Sequence, residues 1–203
     1  MRALSVGCIL CTVLGLSGCG YSSLQQQDES VKTSWSEVVS QYQRRADLIS
    51  SLAASVKGFA ASEQELIGAA AAGARSGSMP AAPAALDDPA AFASYQAMQD
   101  RLTRSLRRLM GVSAAYPQLQ SDANFHDLRE QLAQTQRQIA AARNRYIEAA
   151  QTFNAMVRMF PTDLTARMFD FRPQPLLSEG EPMLSGGRSV LSVDKPMRSA
   201  DKK

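Results

Sequence analysis

Cys19 is the residue of this chain with the most definite chemistry open to it. It closes Leu16-Ser17-Gly18-Cys19, directly after a short apolar run headed by Arg2. A cysteine behind two small residues at the end of a secretory leader reads as a bacterial lipobox. Lipid is attached to its sulfur, the chain is cut before it, and it becomes the mature N-terminus. Arg2 supplies the charged start, Ala3 to Leu16 the apolar middle, and Ser17-Gly18 the small residues before the cut. Residues 1–18 are therefore expected to be a signal peptide, and residues 19–24 a lipidated N-terminus with a short connector. The competing reading is an uncleaved anchor over residues 3–19. That stretch is short for a span and contains three glycines. Both readings put the rest of the chain outside the cytoplasm. Gly20, not Asp, follows the cysteine, which favours the periplasmic face of the outer membrane in a Gram-negative cell.

Lipidation also settles the cysteine count. Cys8 and Cys11 leave with the leader and Cys19 is consumed, so no thiol remains for a disulfide, a nucleophile or a metal. Lipid on the sulfur plus an acylated amine gives the two signals that stable anchoring needs.

Three polar groups invite chemistry downstream. Arg44-Arg45-Ala46-Asp47 comes first, and Arg45 falls on an apolar seam, where an unpaired charge is costly. One reading is a buried network or a partner-binding hot spot. The other, which the energetics favour, is a side chain snorkelling at the bundle edge with its head in water. Glu63 is the other seam charge, too far along one helix to pair with it. Arg101, Arg104, Arg107 and Arg108 form a basic surface that could meet anionic lipid headgroups, though such runs are more often solvated faces. His126 is the only histidine, with Asp122, Asp127 and Glu130 nearby. One His among scattered carboxylates is a weak metal signal. No Gly-x-Ser-x-Gly elbow, second histidine or phosphate-cradling glycine loop is present. No catalytic residue, metal or cofactor is therefore expected. Losing Arg2 takes the formal charge from +3 to +2, too mild to argue for nucleic acid.

The elements that carry these residues are helical. Apolar positions step by four and three from Val31, Trp35, Val38 and Tyr42 through Ile49, Leu52, Val56 and Phe59 to Leu66 and Ala70. This is the heptad signature of left-handed packing, and it predicts one helix over 25–74, a rod of about 70 Å. Gly73 to Pro89 is rich in breakers. Asp87 or Asp88, then Pro89, should open a second helix over 89–115, ending before Pro117. Ser121 or Asp122 should cap a third over 122–160. Its seam is Phe125, Leu128, Leu132, Thr135, Ile139, Ala142, Tyr146, Ala149, Phe153, Met156 and Phe160. A short helical piece fits 163–169, and residues 172–203 read as a disordered tail. Such stripes must close on one another, so the fold class is all-α. The architecture is a long antiparallel bundle of three main helices and a short C-terminal piece.

Several stretches in order resemble the LemA family. They include Gly20-Tyr21, Val31, Trp35 and Val38, then Gln41-Tyr42-Gln43-Arg44-Arg45-Ala46-Asp47-Leu48-Ile49 and Val56-Lys57-Gly58-Phe59-Ala60. Tyr116-Pro117, Asn124-Phe125, Ile139-Ala140, Ala142-Arg143, Tyr146, Asn154 and Phe160-Pro161 continue the likeness, which covers about residues 20–171. The family's usual third-helix polar signature is eroded at Gln136-Arg137-Gln138-Ile139 and Tyr146-Ile147. The resemblance implies a membrane-tethered, extracytoplasmic helical bundle of the bacterial envelope, of a kind with no established enzymatic reaction.

The leading functional expectation is a non-catalytic scaffold or adaptor, partnered by the membrane through Cys19 and by an unidentified envelope protein or a second copy. Direct shaping or spacing of bilayers is the alternative, and a metal-dependent hydrolase around His126 ranks last. The leader supplies the first test. Mass spectrometry of the mature N-terminal peptide should find it starting at a lipid-bearing Cys19. An N-terminus at residue 1 or 2 would replace the lipoprotein with the uncleaved anchor.

Overall fold

A computed structural model describes the backbone of residues 2–59, 64–77 and 85–177, and the side chains of 20–58, 64–76 and 85–177. The Cys19 thiol, Glu63 and the tail from 178 onward lie outside those side chains. Six helices follow: α1 (Arg2–Phe59), α2 (Gln64–Gly77), α3 (Pro89–Ser113), α4 (Pro117–Gln120), α5 (Ala123–Arg158) and α6 (Thr162–Met168). No strand occurs among the described residues. The chain is an all-α bundle, as its heptads predict. Among the described residues no helix is long and apolar enough to cross a membrane.

Helix starts follow the capping logic. Asp88 accepts a hydrogen bond from the Ala90 amide at 2.8 Å, with Pro89 at the first position of α3. Asp122 accepts from the Phe125 amide at 2.8 Å at the start of α5. Residues 20–24, expected to be a connector, belong to α1, and Leu24 is fully buried.

The largest departure concerns the expected rod over 25–74. It is two helices, and the second folds back on the first. Ile67, Ala70 and Ala74 of α2 share a core with Ala46, Ile49, Leu52 and Val56 of α1. A Cβ on Gly73 would lie 3.6 Å from Leu102, on the helix that Arg45 also reaches. Had α2 continued α1, Ala74 would stand about 40 Å from Ala46. Running on would also have left its apolar stripe in water beyond the end of α3. Doubling back buries that stripe. The buried phase shifts accordingly, to Ile67 rather than Leu66, and α2 continues through Gly73 to Gly77.

The main helices thus alternate in direction: α1 up, α2 down, α3 up, α5 down. α1 packs along α5 and α2, and α2 along α3. The core has two parts. Near the N-terminal end it is aromatic: Trp35 meets Phe92, Tyr95 and Tyr146 at centroid distances of 5.1, 5.8 and 5.3 Å. Toward the far end it is mainly aliphatic, with Ile49, Leu52, Ala70, Ala74, Leu106 and Leu109 around one buried ring, Phe125. Across the surface Arg145 grips Glu37 with both ends of its guanidinium, its Nε donating at 3.0 Å.

The C-terminal region also differs from expectation. α5 ends at Arg158, so Phe160, expected on its seam, is 78% exposed. α6 closes with Asp170 in the left-handed region (φ 55°) and the Phe171 amide bonded to the Ala166 carbonyl at 2.9 Å. This reverse turn sends the chain back along α5. Asn154 clasps the Gln174 backbone, accepting from its amide at 2.6 Å and donating to its carbonyl at 2.9 Å. The Tyr146 hydroxyl donates to the Pro175 carbonyl at 2.6 Å, and Leu177 is buried. Residues 172–177, expected in a disordered tail, are therefore docked.

Burial raises the pKa of both Tyr95 and Tyr146 well above the ordinary tyrosine value. In the unfolded chain both lose their protons near pH 10 while the folded chain keeps them. Stability from these groups is present below pH 10 and falls as pH rises above it, by about 1.4 kcal/mol per pH unit for each tyrosine. Urea unfolding from pH 7 to 11 should show this fall, and Tyr146→Phe should reduce its slope. A flat profile through pH 11 would contradict it.

Candidate functional site

Arg45 is 3% exposed. It does not snorkel, because its guanidinium points into the bundle. One terminal nitrogen donates to Thr103 Oγ1 at 3.1 Å, the other to Gln99 Oε1 at 2.6 Å. The Gln99 carbonyl lies 3.5 Å from that second nitrogen, and the cation sits 5.1 Å from the centre of the Tyr42 ring. Neutral acceptors and an aromatic face thus take the place of a carboxylate. Arg45 Nε and the Thr135 hydroxyl are buried without a protein hydrogen-bond partner. Burial pushes the Arg45 pKa below its ordinary value. Tyr42, Tyr95 and Asp100 oppose the shift and Arg143 adds to it. The guanidinium stays charged nonetheless.

These residues form one layer. Arg45, Gln99, Thr103 and Thr135 are four of the five buried polar residues described, the fifth being Ser113. Trp35 faces Tyr146 across the antiparallel pair α1–α5. Stepping eleven residues along each helix carries Thr135 to the level of Ala46. The aromatic cluster stops below this level, at Tyr42, Tyr95 and Ile139. The aliphatic cluster begins above it, at Ala46, Leu102 and Leu132. The polar layer is the boundary between the two halves of the core.

The sequence groups Arg44, Arg45 and Asp47 together, but the fold separates them. Arg44 and Asp47 are exposed while Arg45 is inside. Sequence reasoning missed Arg143, which donates to the Tyr42 hydroxyl at 2.8 Å from α5. The signal was its place one residue beyond Ala142 on the seam, where a long side chain can reach back across. Arg101, Arg104, Arg107 and Arg108 are all exposed on α3. Their level is about 40 Å along the bundle from Gly20.

A second feature lies in the far half. A groove of ≈ 480 Å³ opens between α3 and α5, with Leu106, Met110, Leu132 and Ala133 as its apolar lining. Arg107, His126, Arg129 and Glu130 also line it, and Arg129 sits 5.9 Å from the Phe125 ring centre. His126 is exposed in the first turn of α5. Among the described residues no three His, Cys, Asp or Glu side chains come together as metal ligands would.

The polar layer yields paired expectations. Gln99→Leu leaves a buried guanidinium short of an acceptor and should cost about 2–3 kcal/mol in urea unfolding. Arg45→Met combined with Gln99→Leu removes the buried charge together with its shortest acceptor and should be near neutral, or stabilise by about 1–4 kcal/mol. A greater loss for the double variant than for Gln99→Leu alone would overturn this account of the layer.

Comparison with known proteins agrees with the architecture. No curated protein matches the chain. The model of the LemA family matches residues 34–183, about three quarters of the sequence. That match covers α2–α6, α1 from residue 34 onward and the whole polar layer, and the chain belongs to the LemA family.

Proposed function

We propose that this protein is a membrane-tethered helical scaffold of the bacterial envelope, acting outside the cytoplasm by protein–protein interaction and without catalysis. Cys19 carries the tether, and the bundle holds a binding face away from it. The observation that supports the adaptor reading most is the groove between α3 and α5. Its floor is apolar and open to solvent, and Arg129 lines it. Arg104 and Arg108 stand exposed on α3. Charge complementarity therefore selects an amphipathic helix of a partner protein, with acidic residues flanking its apolar face. The exposed stripe of Arg101, Arg104 and Arg108 supports a second reading, in which the rod shapes or spaces bilayers by touching anionic headgroups.

A photo-cross-linking residue at His126, in the groove, tests the adaptor reading in intact cells. It should trap one protein reproducibly, while the same residue at exposed Ser51 on α1 should not. An adduct of twice the protomer mass would make the partner a second copy. Unmodified monomer at both positions would end the adaptor reading.

A further inference from the structure

Six of the seven large apolar residues left exposed among those described gather at one end of the bundle: Tyr21, Met159, Phe160, Leu164, Met168 and Phe169. Phe160 and Met168 are each 78% exposed. Leu164 and Met168 lie one turn apart on α6, on the face opposite buried Ala166. Tyr21 stacks on Phe169 at 4.6 Å, which joins α1 to this surface. Together they expose an area on the order of 600 Å², as large as the largest patch an ordinary soluble monomer shows. No large apolar residue is exposed at the far end among the described residues.

The position of the patch identifies what covers it. A Cβ on Gly20 would lie 3.4 Å from Thr165, so α1 enters the bundle beside α6. The residue immediately before Gly20 is Cys19, which carries the lipid in the tethered reading. The tether and the exposed apolar surface of the fold therefore meet at one end. The charges around the patch nearly cancel: Arg167 faces Asp163 at 3.9 Å and Arg172 faces Asp170 at 3.0 Å. A ring of Met, Leu, Phe and Tyr with balanced charge suits the boundary between headgroups and acyl chains, not an anionic surface.

We propose that α6 and the turn before it are a membrane seat, inserting Phe160, Leu164, Met168 and Phe169 into the bilayer interface beside the tether. The inference rests on the tethered reading and goes beyond it. A lipid on Cys19 alone leaves the bundle free to swivel, whereas a second contact on α6 fixes its angle to the membrane.

Tryptophan quenching by brominated lipid tests this on the full chain in phosphatidylcholine vesicles carrying bromine on their acyl chains. Phe160→Trp and Met168→Trp should each lose their added emission to the bromines. Arg104→Trp, about 40 Å away, should keep its emission, and buried Trp35 supplies a constant background. Leu164→Glu combined with Met168→Glu should abolish the quenching at Phe160→Trp without altering helix content. Protein that floats with the vesicles but is unquenched at both positions overturns the seat and leaves the tether standing. Failure to float overturns both. Equal quenching at Arg104→Trp means the rod lies flat and overturns the end-on seat. Quenching that appears only after residues 178–203 are deleted means the tail covers the patch, and also overturns it.

Discussion

A guanidinium taken out of water must find acceptors, and in this bundle Arg45 finds them only on α3. Two side chains one turn apart, Gln99 and Thr103, meet its two terminal nitrogens. Sliding α3 by one turn, about 5.4 Å, would replace one of them with Tyr95 or Arg107 and leave the cation unsatisfied. Apolar side chains tolerate such a slip far better, since one aliphatic contact resembles another. The layer therefore contributes little net stability and a great deal of register. It fixes how far α3 rises along α1, and so where the loops and the groove fall.

The two halves on either side are built differently for a geometric reason. Below the layer, α2 is absent and large rings bridge the space between α1, α3 and α5. Trp35, Phe92 and Tyr146 fill a gap that backbones leave open. Above it, α2 enters as a fourth helix and the side chains shrink. Ala46, Ala53, Ala70 and Ala74 are buried there and let α1 and α2 approach closely. α5 spans both halves, so its seam changes from Leu132 and Thr135 to Ile139, Tyr146 and Phe153 along its length.

Much of this was legible in the sequence, because the signals were local. Asp88 with Pro89, Asp122 and the four-three rhythm of α5 each follow from backbone chemistry within a few residues. The fold-back of α2 was not. Ala60-Ala61-Ser62-Glu63 contains neither proline nor glycine, and the heptads read straight across it. What folds α2 back on α1 is the availability of α3 as a partner, a tertiary fact. The same holds for Arg45. Its place on the seam was plain, but only Gln99 and Thr103, more than fifty residues away, decide that its head stays inside. Residues 172–177 looked like tail because their anchors, Asn154 and Tyr146, lie on another helix. The exposed patch at the end of the bundle went unread because Phe160 fitted the seam of a helix that stops two residues earlier.

α1 runs without interruption from before Gly20 to Phe59, past both halves of the core. From Gly20 onward that is a single strut of about 60 Å. A strut with one end near a surface converts angle into displacement. A tilt of about 10° at the Gly20 end carries the other end sideways by about 10 Å, roughly the width of one helix. On the proposed membrane seat, small changes in bilayer thickness or curvature would reach the distant groove as large lateral moves, and the continuity of α1 would make the molecule a pointer whose range is set at its base.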